Sequence, residues 1–178
     1  MSRTKGARPS QGRPSQGRPC LVAMSMTFTP DESPTDAARH IVDANSYATL
    51  ATADVDGRPW VTPVWFAERG LRQFVWVSRI TRRHSQNVAQ RTEIALVVFD
   101  STLPVGSASA VYVEAAAAEV PDHELADTLA VFNAKCEASG LSTWDKSKVS
   151  GDAPHRLYGA TASQVWVLDQ HENRVPVL

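Results

Sequence analysis

Between Tyr47 and Asp100 the chain is a succession of short β-textured segments joined by tight turns, and this limits the folds open to it. Tyr47 to Ala53 and Trp60 to Ala67 are rich in β-branched and aromatic residues. They are separated by Asp54-Val-Asp-Gly57, whose Asp-Gly pair favours a two-stranded hairpin. A turn at Glu68-Arg-Gly70 predicts the next strand over Leu71 to Ser78, and Glu93 to Asp100 predicts another. Such short connections join antiparallel neighbours and leave no room for the crossover helices of a parallel sheet. Thr81 to Gln90 interrupts the meander and is expected to be a short helix with a basic first turn. Ala110 to Val120 reads as a long strand, and Arg156 to Asp169 returns to β texture around Val165-Trp-Val167.

Two further helices are expected outside this sheet. Ser33-Pro-Thr-Asp36 combines an N-cap serine, a proline at the first helical position and an acid three residues after the cap, so a helix should run to about Asp43. Pro121 is expected to open a second, with Asp122, Glu124 and Asp127 in its first turns. Its apolar stripe is Leu125, Leu129, Phe132 and Cys136, and Gly140 is the stop. Ser142 to Pro154 reads as a polar loop. The fold class is therefore mainly β (α+β): a small barrel of about six antiparallel strands with flanking helices.

Residues 1–30 have a different character. Arg8-Pro-Ser-Gln-Gly12 repeats as Arg13-Pro-Ser-Gln-Gly17, and such content cannot bury enough apolar surface to offset its ordering entropy. A disordered basic tail is expected over 1–30 and one folded domain over 31–178. Residues 1–25 are read either as a basic arm or as an upstream extension ahead of a start at Met24 or Met26. Residues 1–26 carry five basic residues and no acid, which leaves 13 basic against 19 acidic residues in the body. An acidic body speaks against nucleic acid as a partner, because duplex binding requires a basic face. No run of eighteen apolar residues or secretory signal order is seen, so a cytoplasmic protein without membrane attachment is expected. Cys20 and Cys136 form no CxxC, and the histidines share no metal-ligand spacing. No P-loop, GxSxG or GxGxxG occurs, and no side chain presents itself as catalytic.

The order of these segments carries a resemblance. Tyr47-Ala-Thr-Leu-Ala-Thr-Ala53, then Asp56-Gly-Arg-Pro-Trp-Val-Thr-Pro-Val-Trp-Phe66, resembles the opening hairpin of the pyridoxamine 5'-phosphate oxidase-like flavoproteins. Val75-Trp-Val-Ser78, the basic Arg82-Arg-His84, Asn87 and Ile94 to Phe99 follow in that family's order. Arg156 to Ala160 with Trp166 to Asp169 resembles its last strand. The resemblance spans residues 33 to 170 and implies an FMN-binding split β-barrel. It implies a homodimer with two flavin sites at the subunit interface, each lined by both chains, and a flavin-dependent oxidoreductase acting on a small molecule.

Carried onto this sequence, the resemblance places the flavin ring along Thr62, Pro63, Val64 and Trp65, and the phosphate near Val77, Ser78, Arg82, Arg83 and His84. Trp166 approaches across the interface or is simply buried. Physical chemistry supports the phosphate assignment, because cations at a helix N-terminus oppose the macrodipole unless an anion sits beside them. His84 stands where relatives carry lysine. The closing His171-Glu-Asn-Arg174 lacks the substrate segment of the vitamin-forming oxidase, which argues against that activity. Alternatives on the same fold are a deazaflavin-dependent reductase, a haem-binding relative, and a non-enzymatic flavin-binding or stress-associated dimer.

Overall fold

The computed structural model describes residues 32–104, 107, 109–169 and 171–178. The expected tail, 1–30, lies outside them. Helix α1 (Pro34–Ala44) begins as its sequence predicts: Ser33 Oγ accepts from the Asp36 N–H at 3.1 Å, and Ala37, Ala38, Ile41 and Val42 are buried. The strands are β1 (Tyr47–Ala53), β2 (Pro59–Trp65), β3 (Ala67–Arg69), β4 (Gln73–Arg79), β5 (Glu93–Phe99), β6 (Ala110–Glu119), β7 (His155–Leu168) and β8 (Arg174–Pro176). Helix α2 (Arg83–Gln90) lies between β4 and β5, and α3 (Leu125–Ala138) between β6 and β7.

All neighbouring strands are antiparallel, in the order β2-β1-β5-β6-β7-β4-β3, with β8 added to β7. Six long strands and two three-residue strands thus make a curled sheet with three helices beside it, a split barrel of the expected class. β2 and β3 occupy opposite ends of the sheet order, yet only Phe66 separates them in the chain. The two sheet edges must therefore meet at this residue. Phe66 is 1% exposed and packs 6.1 Å from Phe74, ring centroid to ring centroid.

Several boundaries differ from expectation, each for a local reason. The strand expected over Trp60 to Ala67 breaks at Phe66, where the chain turns from one sheet edge to the other. The strand expected from Leu71 begins at Gln73, because Gly70 and Leu71 both adopt positive φ (64° and 58°) and form the turn themselves. Helix α3 starts at Leu125 rather than Pro121, since Pro121 to Glu124 closes a separate turn with Glu124 N–H on the Pro121 carbonyl at 3.0 Å. The helix expected over Thr81 to Gln90 begins at Arg83. Strand β8, unanticipated, pairs Val175 with Val167.

The main core lies inside the curl, where Leu50, Leu96, Val98, Val111, Val113 and Val165 come from four strands. A second cluster joins α3 to the outside of β4 and β7 through Leu125, Leu129 and Phe132 with Val75 and Leu157. Leu50 is fully buried at the centre of β1, opposite Thr62 on one side and Leu96 on the other. Leu50→Ala is expected to destabilise the domain by about 2–5 kcal/mol, measured as a lowered midpoint in urea.

Candidate functional site

From the corner at Phe66, β2 runs back along β1 while β4 continues beside β7, and β2 and β4 do not pair. Pro59 and Pro63 in β2 lack the N–H that a ladder on both sides requires, which suits an edge strand. A groove of about 460 Å³ opens at this seam. Pro63, Val64 and Trp65 line it from β2, Val77 and Ser78 from β4, and His84 from α2. Six of the ten residues assigned by resemblance are thus brought together.

The others are placed differently. Thr62 is half-buried one step along β2, opposite Leu50, and does not line the groove. Within one chain Trp166 is also away from it: β4 pairs with the first half of β7, His155 to Thr161, whereas Trp166 pairs with Tyr112 and Pro176. Arg82 and Arg83 sit at the start of α2, beside His84 but outside the lining.

The two arginines are not equivalent. The Arg83 guanidinium stacks 4.7 Å from the Trp60 ring centroid and lies 3.6 Å from Asp54 Oδ2. Asp54 also accepts the N–H groups of Asp56 (3.1 Å) and Arg58 (2.9 Å), so Arg83 latches α2 onto the tip of the β1–β2 hairpin. Its unfavourable position against the helix dipole is offset by this acid and this ring rather than requiring a bound anion. The Arg82 side chain is exposed and has no ion-pair partner among the described residues. Arg82 is the N-cap, yet no side chain caps the helix, leaving its first N–H groups available.

His84 is 7% exposed, and its Nε2 lies 2.6 Å from Ser78 Oγ, which ties α2 to β4. Burial, and secondarily the charge of Arg82, lowers its pKa from the ordinary 6.5, so the ring is neutral at neutral pH. Asn87, one turn further, donates to Thr52 Oγ1 at 2.9 Å in a buried contact that ties the same helix to β1.

The opposite wall was not anticipated. Phe132 and Cys136 reach the groove from α3, followed by Leu141, Ser142 and Trp144. The first two belong to the stripe read as helix core, and the last three fall at the end of α3 and in a segment read as polar loop. A tryptophan within that loop is the one sequence signal that could have marked it. Trp65 meets Phe132 edge to face at 5.0 Å, and burial pushes the Cys136 thiol pKa up, with Glu137 adding to the shift. Among the described residues there is no cluster of His, Cys, Asp and Glu able to hold a metal. No helix among them is long and apolar enough to cross a membrane.

The model of the pyridoxamine 5'-phosphate oxidase family matches residues 34–169. The chain belongs to this family. A sequence comparison with curated proteins finds no match. Among solved structures, a haem-binding protein of Mycobacterium smegmatis is similar, with a TM-score of 0.65 at 17% identity over 82% of this chain. The alignment spans 58% of that longer protein. HutZ, the haem storage protein of Vibrio cholerae, has a TM-score of 0.59 at 19% identity over 76% of this chain and 95% of its own. A Listeria innocua protein provisionally named as a pyridoxamine 5'-phosphate oxidase has a TM-score of 0.58 at 12% identity, covering 77% and 99%. At these identities the likeness establishes the pyridoxamine 5'-phosphate oxidase split-barrel fold.

A depressed histidine pKa has a defined consequence for stability. As pH falls through about 6.5 the unfolded chain binds a proton that buried His84 does not, so stability declines from there down to the lower folded pKa. His155, lowered by burial and by Arg79, acts in the same direction. The urea midpoint should therefore fall between about pH 7.5 and about pH 5.5, with a shallower fall in His84→Gln. A slope unchanged by that substitution would remove His84 from the account.

Proposed function

We propose that this chain binds FMN in the β2–β4 groove and acts as a flavin-dependent oxidoreductase on a small molecule. The observation carrying this reading is the two-ended character of the site. An aromatic and apolar slot along Pro63, Val64 and Trp65 suits a flat tricyclic ring. At α2, free helical N–H groups and the unpartnered Arg82 suit a phosphate dianion. Ser78 lies between the two ends and fits a hydroxyl contact to the phosphate. Bound flavin would supply the hydride chemistry. The protein's part is to hold the phosphate with Arg82, to orient the ring along β2 and to exclude water with the α3 wall.

The partner would be a second copy of the chain. Strand register places Tyr47, Val61 and Phe99 on one outward sheet face, at 60%, 56% and 43% exposure, beside Pro63 and Trp65 of the groove. A copy seated there would cover this apolar face and complete the groove, as the family resemblance implies. Light scattering on the purified protein should give twice the chain mass, and Val61→Glu should shift it toward monomer while loosening the flavin.

Haem is the second reading, favoured by one neutral groove histidine and by the haem-binding proteins of similar structure. Ligation through Nε2 of His84 would require breaking its 2.6 Å contact with Ser78, which leaves FMN preferred. An absorption spectrum of the purified protein, with mass spectrometry of what it releases on denaturation, separates flavin, deazaflavin and haem. Arg82→Ala is expected to weaken FMN binding about tenfold or more, the equivalent of a charge-assisted hydrogen bond. A Soret band, or colourless protein that takes up no added FMN, would overturn the leading reading. Reduction by reduced nicotinamides, followed by reoxidation with candidate acceptors, tests turnover and separates an enzyme from a binding protein.

A further inference from the structure

We infer that the α3 side of the groove selects an uncharged, flat aromatic compound as the reaction partner of the bound flavin. Trp144 is the wall that reads it, and Asn133 the residue that positions this wall. The inference rests on the FMN reading for the flavin's presence and on this chain's own side chains for the selectivity.

The α3 wall contributes Phe132, Cys136, Leu141, Ser142 and Trp144, and among the described residues no side chain lining the groove carries a fixed charge. His84, held neutral by burial, adds none at neutral pH. A carboxylate or ammonium entering this half would lose hydration without gaining an ionic partner among the lining side chains, whereas a neutral ring would lose little. Two cations lie near the groove but outside its lining: Arg82 at the α2 end, taken up by the flavin phosphate in the loaded protein, and Arg79 at the end of β4, whose charge acts on His155 beside the Trp144 indole. Aromatic faces and edges in the groove then favour a planar guest through stacking and edge contacts.

Trp144 is fixed more firmly than a loop residue needs to be. The Asn133 side chain, projecting from α3, donates to the Trp144 carbonyl at 2.8 Å and accepts the Trp144 N–H at 2.8 Å. Both backbone groups are thereby held by one amide. His155 packs against the indole at 5.3 Å between centroids. Arg156 draws in the rest of the loop through the carbonyls of Ala153 (2.6 Å) and Gly151 (2.7 Å). An aromatic wall positioned before a guest arrives forfeits less ordering entropy when the guest binds.

The test is isothermal titration of the FMN-loaded protein, and of protein without flavin, with three probes sharing one ring: 2-naphthol, 2-naphthoate and 2-naphthylmethylamine. In the loaded protein, 2-naphthol should bind at least about tenfold tighter than either ion. Trp144→Ala should weaken it about tenfold, with Trp144→Phe retaining part of the affinity. Asn133→Ala should weaken it too, adding little in the Trp144→Ala background while FMN affinity stays constant, since the two residues act as one unit. Ser142→Asp, an exposed position that spares the fold, should shift preference toward the amine about tenfold. Equal binding of the three probes, an unchanged preference in Ser142→Asp, or full affinity in folded Trp144→Ala would overturn the inference. Failure to bind FMN would overturn the flavin reading instead, and the charge selectivity measured without flavin in Arg82→Ala, where that cation no longer attracts the naphthoate, would still decide the chemistry of the groove.

Discussion

The architecture depends on the single residue that joins β2 to β3. Those strands stand at the two ends of the sheet, so a linker of one residue forces the edges together and curls the sheet. Phe66 holds that corner by burying its ring against Phe74, a burial worth about 1.5–3 kcal/mol in transfer terms. The strands part as they leave it. β4 continues along β7, and β2, carrying two prolines, continues along β1 with no strand partner on its other side among the described residues. The groove is the space left by that divergence, so the feature that closes the barrel also opens the site.

Helix α2 crosses this seam and is pinned at three points of different chemistry. Arg83 is clasped by Asp54 and Trp60 at the hairpin tip, His84 bonds Ser78 on β4, and Asn87 bonds Thr52 on β1. Together these contacts orient an uncapped helix start and leave the Arg82 side chain without an ion-pair partner among the described residues. The division of labour between adjacent arginines, one a latch and one a free cation, is set by which of them reaches the hairpin. The opposite wall is built by α3 and its loop, where a side-chain amide does for Trp144 what secondary structure does elsewhere.

Much of this was legible beforehand. The Asp56-Gly57 hairpin, the capped α1, the stripe Leu125, Leu129, Phe132 and Cys136, and the Gly140 stop all follow from local rules, and the structure places each as read. Six site residues converge because they follow one another closely along two strands and a helix start. The misplacements have two causes. The break at Phe66 is imposed by the meeting of distant sheet edges, which periodicity within a window does not register, whereas the left-handed Leu71 and the late start of α3 are tight turns closed by neighbouring residues.

The sequence by itself determined an antiparallel, mainly β domain of this family and the stretch of chain that forms one side of its groove, because strand alternation, turn residues and helix caps are properties of neighbours in the chain. Tertiary structure alone decided that β2 and β4 face each other unpaired, that Arg83 is engaged while Arg82 is not, and that Trp144 closes the far wall. Each of these depends on residues separated by tens of positions meeting in space. Cation stacking, a buried histidine's lost charge and an amide clamp exist only once that meeting has occurred.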